Sequence, residues 1–435
     1  MLIDLYVKRN INKSLQTGVS RNVNSFKPRS RYNELNISKK ILEIIDKLEE
    51  NNLIHQVVGF NDRHSGIGRT TRIWPTAKLS SMFSIAKFGP EYVKPHPDRE
   101  VIVLRDIDPD TGKQFDKEYD DTHQIESMRS LVRDYNDLLS RTFIDIPVLD
   151  QSYIDLGKGI DGRVRRLYVN QGDKFTRRIF NRGSFDKGGR FWGGWWQRSP
   201  KEWRHQIFMN DQPISEVDYS GLHLVMLYAW EGIDYWNDVG KDPYQIDVKG
   251  YEDRPDEARS LCKSLILVAL NAANDRSAFQ AFRSDAEAGS PEKKMTDAEL
   301  AEVLNELKRL HKPVAGKFAS DAGIDLMNLD AKITEEILSY FVNQDIPVLS
   351  IHDSYLVPMG MEKLLKEQMQ TAFGKVMGIP NVRLKKETHN PWDYEALEIE
   401  DTSMGLEMAP VHRSYPDKTK RYKTERQKFC RVLGR

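Results

Sequence analysis

The chain has 435 residues, 39% apolar and 30% charged, with 65 basic and 65 acidic side chains. That length supports two or three domains and a sizeable core, while zero net charge excludes a uniformly basic coat and leaves only local basic stripes for phosphate contacts. Two cysteines, Cys262 and Cys430, exclude a disulfide framework or a cysteine zinc site, and no apolar run approaches the roughly 20 residues of a membrane span, so a cytoplasmic location in a bacterial or phage-infected cell is expected.

Residues 1–35 are polar, with seven basic and no acidic side chains between Lys8 and Arg31, and read as a flexible basic arm. Helical periodicity follows over 38–51. Residues 55–120 read as strands and turns, and Val101-Ile-Val-Leu-Arg-Asp before Asp108-Pro-Asp-Thr-Gly112 predicts a strand entering a hairpin. Asp106, Asp108 and Asp110 resemble the start of a calcium loop, but Lys117 stands where its last ligand belongs, so calcium is rejected there. A helix is expected over 124–141 and a boundary near 150.

Residues 160–205 are rich in Gly, Arg and Trp. A strand over 214–218, an apolar helix over 222–230 and a helix over 255–274 come next. The last opens at Pro255-Asp-Glu, where proline suits the first turn and acids suit the positive end of the dipole. Residues 281–293 read as a loop, 296–319 and 329–343 as helices, 346–352 as a strand.

Two aspartates sit at strand ends. Asp218 ends Ile214-Ser-Glu-Val-Asp and precedes a helix, where an acid serves equally well as an N-cap. Asp353 lies at the tip of the apolar hairpin Pro347-Val-Leu-Ser-Ile-His-Asp-Ser-Tyr-Leu-Val-Pro358, where it could be a plain turn residue. Bringing two such carboxylates together is unfavourable unless a cation neutralises them. A pair of carboxylates bridging two divalent ions about 4 Å apart is the arrangement for in-line phosphoryl displacement. Between them in sequence, Arg259, Lys263, Leu267 and Asn271 recur every fourth residue. Four residues advance about 400°, so they share one face of a helix whose other positions are apolar. A cationic face of that kind can hold a triphosphate; its bland alternative is a solvated basic stripe.

The pattern resembles the single-subunit polymerase superfamily, which contains the family A DNA polymerases and the phage-type single-subunit RNA polymerases. Asp218-Tyr-Ser is similar to its motif A, Arg259-x3-Lys263-x7-Asn271 to motif B, and His352-Asp353-Ser354 to motif C. Asp186-Lys-Gly-Gly189-Arg190 is similar to the Gly-Arg element that precedes motif A. The resemblance covers about 160–360 and implies an α+β right-hand fold with an antiparallel palm sheet, helical fingers and a thumb. The segments would be an arm (1–35), a thumb-like region (36–150), palm (151–230), fingers (231–328), palm again (329–400) and a basic tail (401–435).

The resemblance also implies roles. Asp218, Asp353 and the Tyr219 carbonyl would hold two magnesium ions, with manganese as the substitute. Arg259 and Lys263 would bind the incoming triphosphate, and Lys263 would protonate pyrophosphate. Asn271 and His223 would lie against the nucleotide. Gly189, Arg190, Arg178 and Arg182 would contact nucleic acid. Partners would be a DNA template, a nascent RNA or DNA strand, NTPs or dNTPs, and an accessory protein for start-site recruitment. Asn271-Ala272 replaces the family's Tyr-Gly, which removes a stacking ring. Ser354, Asp186 and the aliphatic Leu267 resemble the RNA branch. Asp218-Tyr-Ser resembles the DNA branch, where a glutamate that blocks a 2′-hydroxyl stands at the position of His223. The balance leans to RNA synthesis by a transcriptase or priming enzyme. The alternatives are a family A-like DNA polymerase without proofreading, or a catalytically idle nucleic-acid-binding replication protein.

Overall fold

The computed structural model describes residues 1–61, 68–86, 88–159, 162–387 and 417–434. Helices and strands mix throughout in an α+β arrangement around three hydrophobic clusters. The first cluster belongs to the N-terminal residues. Helices Leu2–Ile11, Lys40–Glu50 and Ala77–Ser84 pack on a three-stranded antiparallel sheet ordered Thr17–Val19, Thr71–Pro75, Ile54–Val57. Leu5, Ile45, Ile54, Ile73 and Leu79 form its core. Within 1–35, where polarity predicts an irregular arm, 2–11 form a helix and 17–19 a strand of this sheet, and 26–35 are turns and coil. Leu5 and Tyr6 are the buried side chains that seat the first helix, and Leu2, Ile3 and Asn10 stay exposed.

A second sheet runs Ser184–Gly193, Thr176–Asn181, Ile102–Ile107, Gln114–Asp116. Its two middle strands are parallel, and the outer pairs are antiparallel. The last pair is the expected hairpin, whose turn is held by the Asp108 carboxylate accepting from the Asp110 and Thr111 backbone. Helix His123–Arg141, capped by Thr122, buries Ile125, Val132, Tyr135 and Leu139 in the main cluster. That cluster runs on from Val101 to Val382, so the core does not break near 150. The break in core membership falls between Leu79 and Val101.

The third sheet positions the site. Gln212–Tyr219 is its central strand, antiparallel to Ser354–Pro358, which in turn pairs with Leu349–Ile351. On the other side the central strand pairs first with Phe208–Met209 and then with Leu384–Glu387. Buried residues of the Leu222–Trp230 and Glu362–Met377 helices belong to the same core. Between the central strand and its hairpin the chain makes a helical excursion: Pro255–Asn271, Asp275–Asp285 and Asp297–Leu310. The second of these replaces the start of the expected loop, nucleated by a capping box between Asn274 and Ser277. Helix Gly323–Asn343 starts six residues before its expected position and returns the chain to the hairpin.

Of the expected basic tail, Lys420–Val432 is a helix. It docks Tyr422 and Phe429 on Phe143, and Arg421 pairs with the buried Asp145 at 2.6 Å. Residues 388–416, which the expected palm end and tail share, lie outside the described residues. Among the described residues, no helix is long and apolar enough to cross a membrane.

Candidate active site

Strand register brings the two aspartates together. Asp218 faces Ser354 across the central pair, so Asp353 lies one residue beyond the partner of Asp218, at the same end of the adjacent strand. Asp353 and His352 form the two-residue turn of the hairpin, and His352 adopts the left-handed φ of 54°. The Tyr219 amide donates to the Asp353 carbonyl at 3.4 Å, tying strand end to turn. The Tyr219 ring is committed to the core, its hydroxyl donating to the Met369 carbonyl at 2.6 Å, which leaves only its carbonyl for a metal.

A buried carboxylate that sequence reasoning missed braces this turn. Glu216 accepts from Ser354 Oγ at 2.8 Å and from both forks of Arg204 at 2.9 and 3.0 Å, with His205 at 3.3 Å. Burial pushes its pKa up, but His205, Arg204 and Ser354 outweigh that and hold it at about 2. The signal was an acid at an inward position of an otherwise apolar strand.

The Pro255–Asn271 helix buries Ala258, Leu261, Cys262, Leu265, Ile266, Ala269 and Leu270. The opposite face carries Arg259, Lys263, Leu267 and Asn271, as the four-residue spacing predicted. Lys263 is exposed. Arg259 Nε pairs with Asp242 at 2.9 Å, and its guanidinium stands 5.4 Å from the Tyr244 ring. Tyr244 was also missed. It is buried against Gly221, where a Cβ would lie 3.8 Å from its hydroxyl. Burial raises its pKa, and the negative charges of Asp353, Asp242 and Asp218 raise it further, so it sits within electrostatic reach of both site carboxylates. Asn271 folds back: its amide donates to the Leu267 carbonyl at 2.7 Å and abuts Gly323.

The Gly-Arg element and the strand before it are clamped by four ion pairs, three to the Gly323–Asn343 helix and one to Asp321 just before it. Arg178 joins Glu335 at 2.6 Å and Arg190 joins Asp330 at 2.7 Å, while Arg182 and Lys187 pair with Asp321 and Asp325. The Arg178 side chain is 2% exposed and also donates to the Gly189 carbonyl, so its charge is taken up within the protein. Gly189 is buried at φ 89°, and a Cβ there would meet the Phe180 ring at 2.6 Å, so packing demands the glycine. Arg182 remains half-exposed. In the aromatic cluster, Phe191, Trp195 and Trp196 are core residues, and only Trp192 is exposed, edge-on to His352 at 4.9 Å.

Arg190 reaches further. Its Nη2 lies 3.3 Å from His223 Nε2 on the first turn of the Leu222–Trp230 helix. Burial lowers the His223 pKa to about 4, with Arg190 and Lys263 acting in the same direction and Asp353 opposing them. That shift favours the neutral imidazole at pH 7.

No protein-family model matches the chain, and no curated protein does. Among solved structures, one similar chain is the POL domain of Pol1 from M. smegmatis, determined in complex with DNA primer-template and dNTP. It is 11% identical with a TM-score of 0.31, and the match covers 61% of this chain and 52% of that one. The chain thus spans about half the length of that structure. A likeness this loose carries no argument, and the functional reading rests on the geometry of the site.

Proposed function

We propose that the chain is a template-directed nucleotidyltransferase that adds nucleoside triphosphates to a 3′-hydroxyl on a DNA template, with a lean to RNA synthesis. The observation that carries this reading is the register that sets Asp218 and Asp353 at one end of adjacent strands, with Tyr244 in reach of both and Arg259 beside it. On this reading the third sheet serves as palm and the helices between 255 and 310 as fingers. Among the described residues no group of three or more His, Cys, Asp or Glu forms a closed metal cage. Two half-buried carboxylates and a backbone carbonyl fit magnesium nonetheless, because that ion keeps several waters and takes its remaining ligands from substrate phosphates.

When bound, the two ions would supply the acidified 3′-hydroxyl and the charge neutralisation at pyrophosphate. The protein's own share is positional. Asp218 and Asp353 orient the reacting centre from a hairpin that Glu216 braces. Arg259 and Lys263 hold the triphosphate, and Lys263 gives its proton to the departing pyrophosphate. Primer extension with magnesium, run separately with NTPs alone and dNTPs alone, tests the reading. Asp353→Asn should abolish extension by either nucleotide set while leaving the circular dichroism melt unchanged. Normal extension by that variant would sink the metal assignment, and DNA binding without incorporation under magnesium or manganese would favour an idle replication protein.

A further inference from the structure

The Asp330 carboxylate is the most deeply buried acid beside the site, with its side chain 1% exposed. Its Oδ2 accepts a hydrogen bond from Arg190 Nε at 2.7 Å, and among the described residues its Oδ1 has no hydrogen-bond partner. A carboxylate buried in this way depends on the cation beside it, and removing either partner strands the other. Arg190 bridges two partners through its rigid fork, with Nε on Asp330 and Nη2 on His223 Nε2. A guanidinium has donors and no acceptor, so the contact at 3.3 Å requires Nε2 to be the bare nitrogen and Nδ1 to carry the proton. His223 lies five residues after Asp218, and the charges that reach it belong to Arg190, Asp353 and Lys263. On the polymerase reading the incoming nucleotide lies beside the first turn of the helix that follows the Asp218 strand, the turn that carries His223.

We propose that Asp330, acting through Arg190, locks His223 as the Nδ1–H tautomer, and that this N–H donates to the 2′-hydroxyl of an incoming ribonucleotide. The sugar part rests on the polymerase reading above, whereas the tautomer does not. Asp330 and Arg190 are positioning residues, and His223 is the group that touches the sugar. A carboxylate at position 223 would repel the hydroxyl oxygen's lone pairs and accept only its proton, whereas an N–H held by a fixed partner leaves a buried donor unsatisfied when a deoxyribose enters. An unsatisfied donor costs about 1–3 kcal/mol, so discrimination against dNTPs on the order of ten- to a hundredfold is expected from this contact.

Two measurements on the full chain test it. With 15N-labelled histidine, the His223 signals, assigned by their loss in His223→Gln, should show the Nδ1–H form at pH 7. Asp330→Asn, and Arg190→Lys should the first fail to fold, should populate the other tautomer. An Nε2–H form in the parent protein, or no change in either variant, overturns the lock. In steady-state incorporation, Asp330→Asn should lower kcat/KM for NTPs about tenfold more than for dNTPs, with the same selectivity loss in His223→Ala and no further loss in the double variant. Equal losses for both sugars, additive losses, or a parent preference for dNTPs overturns the sugar contact. A locked tautomer in a chain that incorporates neither nucleotide would refute the polymerase reading and leave the lock standing.

Discussion

Two basic regions accompany the paired aspartates, one ahead of Asp218 and one between Asp218 and Asp353 in sequence, and they differ in where their charge goes. In the Gly-Arg element and the strand before it each named cation meets an acid on or just before the Gly323–Asn343 helix: Arg178 and Arg190 in pairs with a buried member, Lys187 and Arg182 in more exposed ones. On the Pro255–Asn271 helix Lys263 stands exposed, and Arg259 has only a half-exposed partner in Asp242. A guanidinium locked to a buried carboxylate has a structural or positional task, because removing it strands the partner. A cation on an open helix face is available to a ligand whose charge the protein does not already supply. The contrast separates framework from binding surface better than basic composition does.

The largest effect should come from the open face. Lys263→Ala should lower kcat by about 10²–10⁴-fold, the usual worth of a positioned general acid, while the thermal melt stays within a degree of the parent. A loss of fold with that loss of activity would place Lys263 in the framework. Arg178→Ala should behave in the opposite way. It leaves Glu335, which is 30% exposed, and the Gly189 carbonyl without their cation. The expected cost is about 3 kcal/mol, at the low end for breaking a buried pair because Glu335 keeps some water. Urea unfolding measures it, and an unchanged midpoint would show that the clamp is ornamental.

Glu216 extends the framework side to pH. Its folded pKa, about 2, lies below the ordinary 4.5, so the unfolded chain binds the proton more readily. The stabilisation is full above about pH 4.5 and is lost as pH falls toward 2, and two to three units correspond to about 3 kcal/mol. Glu216→Gln should lower stability at pH 7 and flatten its decline between those values. An acid-unfolding curve identical to the parent's would mean that Arg204 and Ser354 contribute nothing through this carboxylate.

What the sequence disclosed depended on the range of the interaction. Asp218, Asp353 and the Arg259–Lys263 face were legible because strand ends and helical spacing are local patterns, and the Gln212–Tyr219 strand, the Leu222–Trp230 helix and the hairpin formed where those patterns put them. Glu216, Tyr244 and Asp330 were not, since each acquires its role only from partners that folding brings up. The run of arginines and glycines around Arg178 and Gly189 gives no hint that a helix more than a hundred residues later carries matching acids. The N-terminal helix was missed for a different reason: two buried side chains among polar neighbours make a weak periodicity, and a neighbouring sheet supplies the rest of its stability.

The smallest expected effect probes the boundary between the two regions. Asp242 is a protein acid on the otherwise open face, holding Arg259 at 2.9 Å with both side chains more than a third exposed. A pair so placed contributes little stability, about 0.2–1 kcal/mol, so it does not explain why an acid stands there. In the polymerase reading its carboxylate occupies a place on Arg259 that an incoming phosphate would claim, and binding must exchange one anion for the other. Asp242→Asn removes the competitor and leaves the cation. KM for the nucleotide should then fall by up to about fivefold, with kcat and the melting temperature unchanged. A rise in KM would show instead that Asp242 orients Arg259 for its ligand. That would move Arg259 to the clamped side of the comparison and leave Lys263 as the only freely offered charge of that pair.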